Sequence, residues 1–242
     1  PGGASCIWVP WCVLVLSPSS YGKVTRRALA RHLYLDTAPV LLGFTVLAAL
    51  ISLVLTRIVV VTAISYGLSR YALEMVIRVL VLELIPLTAA LFVAMRCTIP
   101  NGTQLALLRQ SGHLARLSHA GADPIRVELL PRAVAGVFAC ITLAALSCVV
   151  ALVLAYLGVY GFSLAGLPSY TRMFGHVFAP AVTLVFVIKT VLFSLAVALI
   201  PMAAGLYDTG ERTQPDSELG GLARMFAVLL LIEIGSLVGN YY

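Results

Sequence analysis

Charged residues are scarce in this chain of 242 residues, and their scarcity decides its class. Asp, Glu, Lys and Arg make up 11% of the sequence, whereas hydrophobic residues make up 61%. A soluble globule of this length needs more polar surface than these side chains can supply. The composition therefore predicts an integral membrane protein and excludes an ordinary soluble domain.

Motifs for enzymatic and metal chemistry are missing as well. The sequence has no G-x-S-x-G, no H-E-x-x-H and no G-x-x-x-x-G-K-[ST] phosphate loop. Its five cysteines form no Cys-x-x-Cys pair, which argues against metal clusters and disulfides. Basic residues stand at the ends of apolar runs and do not alternate with aromatics, so we expect no nucleic acid partner. We therefore expect a non-enzymatic chain with no cofactor or metal of its own.

Long apolar segments are what the sequence does contain. Five of them can cross about 30 Å of hydrocarbon, which takes ~20 helical residues. A shorter apolar stretch, 58–68, follows Arg57 and is predicted either to extend the first helix or to form a short external one. No internal repeat or low-complexity linker divides the chain. The predicted fold is all-α, one integral membrane domain with about five transmembrane helices, over Ala38 to Leu55, Met75 to Met95, Ala133 to Tyr160, Val177 to Leu206 and Leu222 to Val238.

The N-terminal segment is predicted to lie on the membrane surface. Four basic residues between Tyr21 and Arg31 alternate with apolar ones, which favours a short amphipathic helix on an anionic surface. We therefore assign residues 1–36 to an interfacial, elbow-like segment and residues 37–242 to the membrane domain.

A second amphipathic helix is predicted between the second and third spans, over residues 103–121. Leu107 and Leu114 share one face of it, while Arg109 and Arg116 lie on roughly the opposite face. Periodicity alone does not decide whether this helix rests on the membrane or docks a partner.

Lys and Arg placement predicts the orientation of the chain, because cytoplasmic loops carry the excess of these residues. The N-terminal segment has four, and the connection 96–132 has five. Arg57, Arg70 and Arg78 around the first connection run against this pattern. The balance favours a cytoplasmic N-terminus and an external C-terminus.

Three ionisable residues are embedded in the apolar runs: Glu83, Lys189 and Glu233. Each has a simple structural explanation. Glu83 can pair with Arg78 near a kink at Pro86, Lys189 can reach an interface, and Glu233 is close to the C-terminus. Charges within a bilayer usually face a bundle interior, and pairing lowers their burial cost. Two acids and one base on three helices therefore predict an internal polar site.

The chain resembles the MlaE (YrbE) family of ABC-type phospholipid transport permeases, from about Arg31 to the C-terminus. The most specific piece is the G-x-D-P-[IL]-R…PR signature, which here contains Asp123, Pro124 and Arg126, then Pro131 and Arg132. Supporting pieces are Arg31 to Tyr34, Leu82 to Pro86 for R-E-L-G-P, Arg96, Ile188 to Phe193 for I-K-S-x-x-F, and Glu233 where the family usually has Asp.

The resemblance implies a homodimeric permease in the inner membrane of a bacterial cell. Its partners would be phospholipid, a cytoplasmic ABC ATPase similar to MlaF that binds ATP and Mg²⁺, an MCE-domain protein similar to MlaD, and a small STAS-domain subunit similar to MlaB. The complex would move phospholipid between membranes and maintain outer-membrane lipid asymmetry. Residues 103–121 would be the coupling helix on the ATPase.

The chain departs from the family pattern around that helix. Gln104 stands where the family has an acidic residue, and Gly112 and Ala115 replace two further acidic positions. Arg96 and Gln104 are then candidates for the lipid cavity or for coupling. Two other functions stay open: a proton-coupled secondary transporter that uses Glu83 or Glu233, and an uncoupled membrane anchor for a periplasmic lipid-binding protein.

Overall fold

The computed structural model describes residues 23–67, 69–119, 125–207 and 215–241. Almost all of these residues are helical and none is in a strand, which confirms the all-α prediction for the described part. The elements are α1 Lys23–Ser65, α2 Ser69–Val76, α3 Ile85–Val93, α4 Ile99–Gln110, α5 His113–His119, α6 Leu130–Tyr160, α7 Leu167–Val177, α8 Pro180–Tyr207 and α9 Pro215–Tyr241, with π-helical segments Ile77–Leu84, Ala94–Thr98 and Ile125–Leu129 and a 3-10 turn Leu164–Gly166.

Five helical stretches of the described chain are long and apolar enough to cross a membrane, which confirms the predicted number. The second is longer than expected, because α2, α3 and α4 follow one another with only π segments between them. We refer to these stretches as spans 1 to 5: Leu41–Ser65, Tyr71–Gln110, Val127–Tyr160, Pro180–Gly205 and Gly220–Asn240.

The first helix differs from the prediction of a separate elbow helix. Residues Lys23–Ser65 form one uninterrupted α-helix of 43 residues, about 64 Å long at 1.5 Å per residue. It therefore contains the basic stretch, span 1 and most of the apolar stretch after Arg57. The side chain of Arg57 is exposed, and a long basic side chain can extend to a polar interface without breaking its helix. Residues 1–22 lie outside the described part.

Proline explains the three π-helical segments. Each segment is followed by an α-helix with proline at its second position. Proline has no N–H, and its ring clashes with the carbonyl four residues earlier, so a wider turn relieves the contact. Before Pro86, the N–H of Ile85 accordingly donates to the carbonyl of Leu80, five residues earlier. The three prolines are Pro86, Pro100 and Pro131.

Span 2 lies at the centre of the bundle, and span 5 lies at its edge. In the most apolar stretch of each, 56% of span 2 is buried, against 17% of span 5. Alanines such as Ala89 and Ala139 are fully buried at the crossings, where small side chains let helices approach closely. Phe44 of span 1 fills the core beside Phe92 of span 2, with ring centroids 4.9 Å apart.

Two glycines bring α4 into backbone contact with the end of α8. A Cβ atom on Gly205 would lie 2.4 Å from the carbonyl oxygen of Gly102, and one on Gly102 would lie 2.7 Å from the carbonyl oxygen of Pro201. Neither position has room for a side chain. The segment beyond the core of span 2 is therefore packed directly on span 4.

Candidate functional site

The three embedded charges meet inside the bundle. The ammonium of Lys189 in span 4 donates to the carboxylate of Glu83 in span 2, and it lies 2.9 Å from Oε2 of Glu233 in span 5. The Lys189 side chain is only 2% exposed. The structure thus brings together all three residues that the sequence predicted as an internal polar site, and we refer to them as the triad.

The proline in span 2 leaves an acceptor that Lys189 contacts. Pro86 has no N–H to donate to the carbonyl of Leu82, four residues earlier. The ammonium of Lys189 donates to that carbonyl at 3.3 Å, and the Phe193 ring lies one helical turn further along span 4, with its centroid 5.7 Å from the ammonium. The lysine therefore satisfies a backbone group that the proline leaves without its helical partner.

Span 5 contributes a second polar residue, Asn240, to the surroundings of the triad. The Nδ2 group of Asn240 donates to Oε1 of Glu83 at 3.5 Å, so this carboxylate has donors from two helices. Glu233, Ser236 and Asn240 follow a spacing of three and four residues and share one helix face. Sequence reasoning missed Ser236 and Asn240, although this polar stripe on an otherwise apolar helix was a usable signal.

Arg78 does not pair with Glu83, contrary to the alternative considered for that residue. Its Nε donates to Glu74 at 3.1 Å, one turn earlier in the same helix. His176 of α7 lies 3.9 Å from the same carboxylate. On α7, the hydroxyl of Tyr170 donates to the carbonyl of Leu152 at 2.9 Å, and burial raises the pKa of Tyr170 to about 12. These contacts fasten α7 to spans 2 and 3.

Arg96 and Gln104 lie apart from the triad. Both side chains are exposed. Arg96 is thirteen residues beyond Glu83 along span 2, a distance of about 20 Å on a helix. A role for either residue in a lipid cavity or in coupling stays a prediction.

The amphipathic helix predicted over residues 103–121 is two helices in the structure. It ends at Gln110 and restarts at His113, because Gly112 adopts a φ of +69°, the left-handed conformation that ends helices. Leu107 in α4 and Leu114 in α5 therefore do not share one continuous face. Leu107 is 63% exposed, whereas Leu114 is half-buried.

The two predicted arginines of this region lie on either side of the break. Arg109 is half-buried in α4. The guanidinium of Arg116 in α5 donates to the carbonyl of Ser111 at 2.9 Å, across the turn. This hydrogen bond stabilises the turn between α4 and α5.

The signature residues are only partly described. Asp123 and Pro124 lie outside the described residues, and of Arg126 only the backbone is described, in the π segment Ile125–Leu129. Pro131 and Arg132 are buried at the start of α6. The guanidinium of Arg132 donates to the backbone carbonyl of Glu128 at 2.7 Å and to its carboxylate at 2.5 Å.

Glu128 therefore fixes the start of span 3. Its other carboxylate oxygen lies 3.9 Å from Nε2 of His113 in α5, so one acid joins both sides of the segment 120–124. Sequence reasoning missed Glu128, although a Glu four residues before an Arg is a recognisable helical pair.

Glu128→Gln should destabilise the folded chain by about 1–3 kcal/mol, because it leaves the buried guanidinium of Arg132 without its charged acceptor. Glu74→Gln is the matched control. It removes an equally spaced pair with Arg78, but both side chains of that pair are 26% exposed, and such pairs contribute under about 1 kcal/mol. Thermal unfolding in detergent compares the two variants. Equal losses would show that Arg132 does not depend on this carboxylate.

The sequence matches a known protein family. The family model described as Permease MlaE matches residues 29–238, which is most of the chain. The chain belongs to the MlaE permease family. It is therefore a multi-pass membrane permease of an ABC-type lipid transporter. No curated protein gives a significant match. The triad of this MlaE permease has one residue on each of spans 2, 4 and 5, inside the matched region.

Proposed function

We propose that this MlaE permease is the membrane subunit of a phospholipid transporter that is driven by a separate cytoplasmic ATPase, where ATP and Mg²⁺ bind. The family match over residues 29–238 carries this proposal. The five apolar spans and the buried triad support it, because a transport path needs polar groups held inside an apolar bundle.

Two copies of the chain would form the lipid path. On span 5, Leu231, Ile234 and Val238 are large apolar residues that the single chain leaves exposed. Such a face suits lipid or a second copy. In this arrangement an MCE-domain protein lies at the outer side of the inner membrane, the N-terminus is cytoplasmic, and a STAS-domain subunit accompanies the ATPase. Transport would maintain the lipid asymmetry of the outer membrane.

Coupling to the ATPase would enter through α4 and α5. Leu107 offers an exposed apolar contact on α4. The same helix continues span 2, which carries Glu83, and touches span 4, which carries Lys189, through Gly102 and Gly205. A push on α4 would therefore reach two members of the triad through rigid elements.

Leu107→Asp should remove the ATPase from the gently purified complex, because a charge on the docking face disfavours an apolar contact. Leu164→Asp is the control: it puts the same charge on another exposed leucine, in the connection between spans 3 and 4. Native mass spectrometry from the protein's own membranes reads out ATPase, phospholipid and dimer together.

The outcomes separate the possible functions. A lipid-carrying dimer with ATPase in the native chain, lost in Leu107→Asp and kept in Leu164→Asp, supports the coupled permease. ATPase retained in both variants would place docking elsewhere. A native particle without any ATPase would favour the uncoupled anchor or the proton-coupled transporter.

A further inference from the structure

The triad contains one ammonium and two carboxyl groups, so full ionisation leaves one buried negative charge. The side chains of Glu83 and Glu233 are only 13% and 14% exposed. Among the described residues, the ionisable groups that act on Glu233 are Lys189 from span 4 and Glu83 from span 2. No second cation in this part of the structure balances the charge. Burying an uncompensated charge is costly, and a proton is the simplest way to remove it.

The two carboxyl groups are not equivalent. Glu83 accepts hydrogen bonds from Lys189 and from Asn240 on its two oxygens. Oε2 of Glu233 is buried and lies 2.9 Å from the same ammonium, but the described contacts give this carboxyl group no second donor. Donors favour the ionised form of the group that receives them. Glu83 is therefore the carboxylate, and Glu233 is the better place for a proton.

The carboxyl groups of Glu83 and Glu233 contact the same ammonium, that of Lys189, and therefore lie close to each other. Two ionised carboxylates have only acceptors and repel each other, so this proximity is more favourable when one of them carries a proton.

Neighbouring oxygens on span 5 lack donors as well. Oγ of Ser236 and Oδ1 of Asn240 are buried without a hydrogen-bond partner, and the Ser236 side chain is only 7% exposed. Both share a helix face with Glu233. A metal cation would suit these oxygens but not the ammonium 2.9 Å from the Glu233 carboxyl. A proton adds a donor without placing a second full charge beside Lys189.

We propose that the triad holds one exchangeable proton, resident on Glu233, so that Glu233 is a neutral acid, Glu83 a carboxylate and Lys189 an ammonium. Release of this proton to water leaves the Glu233 carboxylate and restores the net negative charge. The proposal goes beyond the permease function, since a proton held for structure requires no proton-driven transport. Its tests measure protonation and folding, so their outcome is independent of lipid transport.

Infrared spectroscopy of the full chain in lipid nanodiscs at neutral pH detects the proton directly. We expect a carbonyl band of a protonated carboxylic acid that shifts in D₂O. The band should disappear in Glu233→Gln. It should remain in the control Glu74→Gln, because the carboxylate that this variant removes pairs with Arg78 and lies outside the triad. Absence of the band from the native chain would overturn the proposal without requiring any variant to fold. So would a band that persists unchanged in Glu233→Gln.

Measurements of folding stability then show which carboxyl group holds the proton. Glutamine has a shape similar to that of a neutral acid and also donates a hydrogen bond, so Glu233→Gln should match the native chain at about pH 4 and be more stable than it at neutral pH. Glu83→Gln should be less stable than the native chain. An unfolded Glu ionises near pH 4.3, roughly its free value. The native fold would hold one extra proton above about pH 5, and its unfolding equilibrium constant should rise about tenfold per pH unit relative to Glu233→Gln. Greater loss in Glu233→Gln than in Glu83→Gln would overturn the assignment to Glu233.

Discussion

Lys189→Met should lower the free energy of unfolding by about 3–5 kcal/mol and abolish lipid transport, because it removes one partner of a buried ionic group. Methionine fills similar space without charge, so Glu83 and Glu233 are left facing each other without their shared cation. The carbonyl of Leu82 loses its donor in the same step. Chemical unfolding in detergent measures the first effect, and lipid transfer between liposomes that contain the reconstituted complex measures the second.

Thr190→Val is the control at the neighbouring position. Its hydroxyl donates to the carbonyl of Phe186 within its own helix, and removing such a local bond should cost under about 1 kcal/mol. Native stability in Lys189→Met would contradict the ionic role of the lysine.

A neutral triple variant separates folding from transport. In Glu83→Gln, Lys189→Met, Glu233→Gln no buried charge remains, and replacing all members of a buried ionic group is often neutral for stability. We expect the triple variant to be more stable than Lys189→Met. If transport stays absent while the dimer and its ATPase still assemble, the triad acts in transport; if transport returns, the triad serves folding alone.

The triad was predictable because charge inside an apolar run is rare and expensive. Hydropathy locates such residues without any knowledge of packing. Its remaining parts were not predictable in the same way. The donor requirement of the Leu82 carbonyl follows from Pro86 only once the helix register is known, and the partner of Arg78 was decided by a local Glu one turn away that costs less chain entropy than a remote one.

The five spans were predictable for the same reason, whereas the ends of the helices were not. Apolar length reports what can cross a membrane, but it does not report where a helix stops. The basic stretch after Lys23 contains good helix formers and continues straight into span 1. The break at Gly112 depends on a backbone conformation, which a pattern of faces over residues 103–121 does not reveal.

Gly205→Ala should separate α4 from span 4 and weaken the coupling that we propose. The new methyl group would lie 2.4 Å from the carbonyl oxygen of Gly102, well inside van der Waals contact, and the obstacle is backbone that no rotamer change can move aside. The helices must shift apart, and overpacking of this kind costs about 1–3 kcal/mol. Gly102→Ala tests the same contact from the other side, where a Cβ would meet the carbonyl oxygen of Pro201 at 2.7 Å.

Gly43→Ala is the matched control, because it also adds a methyl group to a glycine inside a spanning helix. No atom lies within 4 Å of the added carbon, so the change should be neutral or stabilising by roughly 0.5–1 kcal/mol through backbone entropy. The decisive measurement is the amount of lipid moved per ATP hydrolysed by the reconstituted complex. A displaced α4 should lower this ratio in Gly205→Ala and Gly102→Ala while ATP hydrolysis continues. An unchanged ratio in a destabilised Gly205→Ala protein would mean that the glycine contact serves packing only and that the ATPase acts on the triad through span 2.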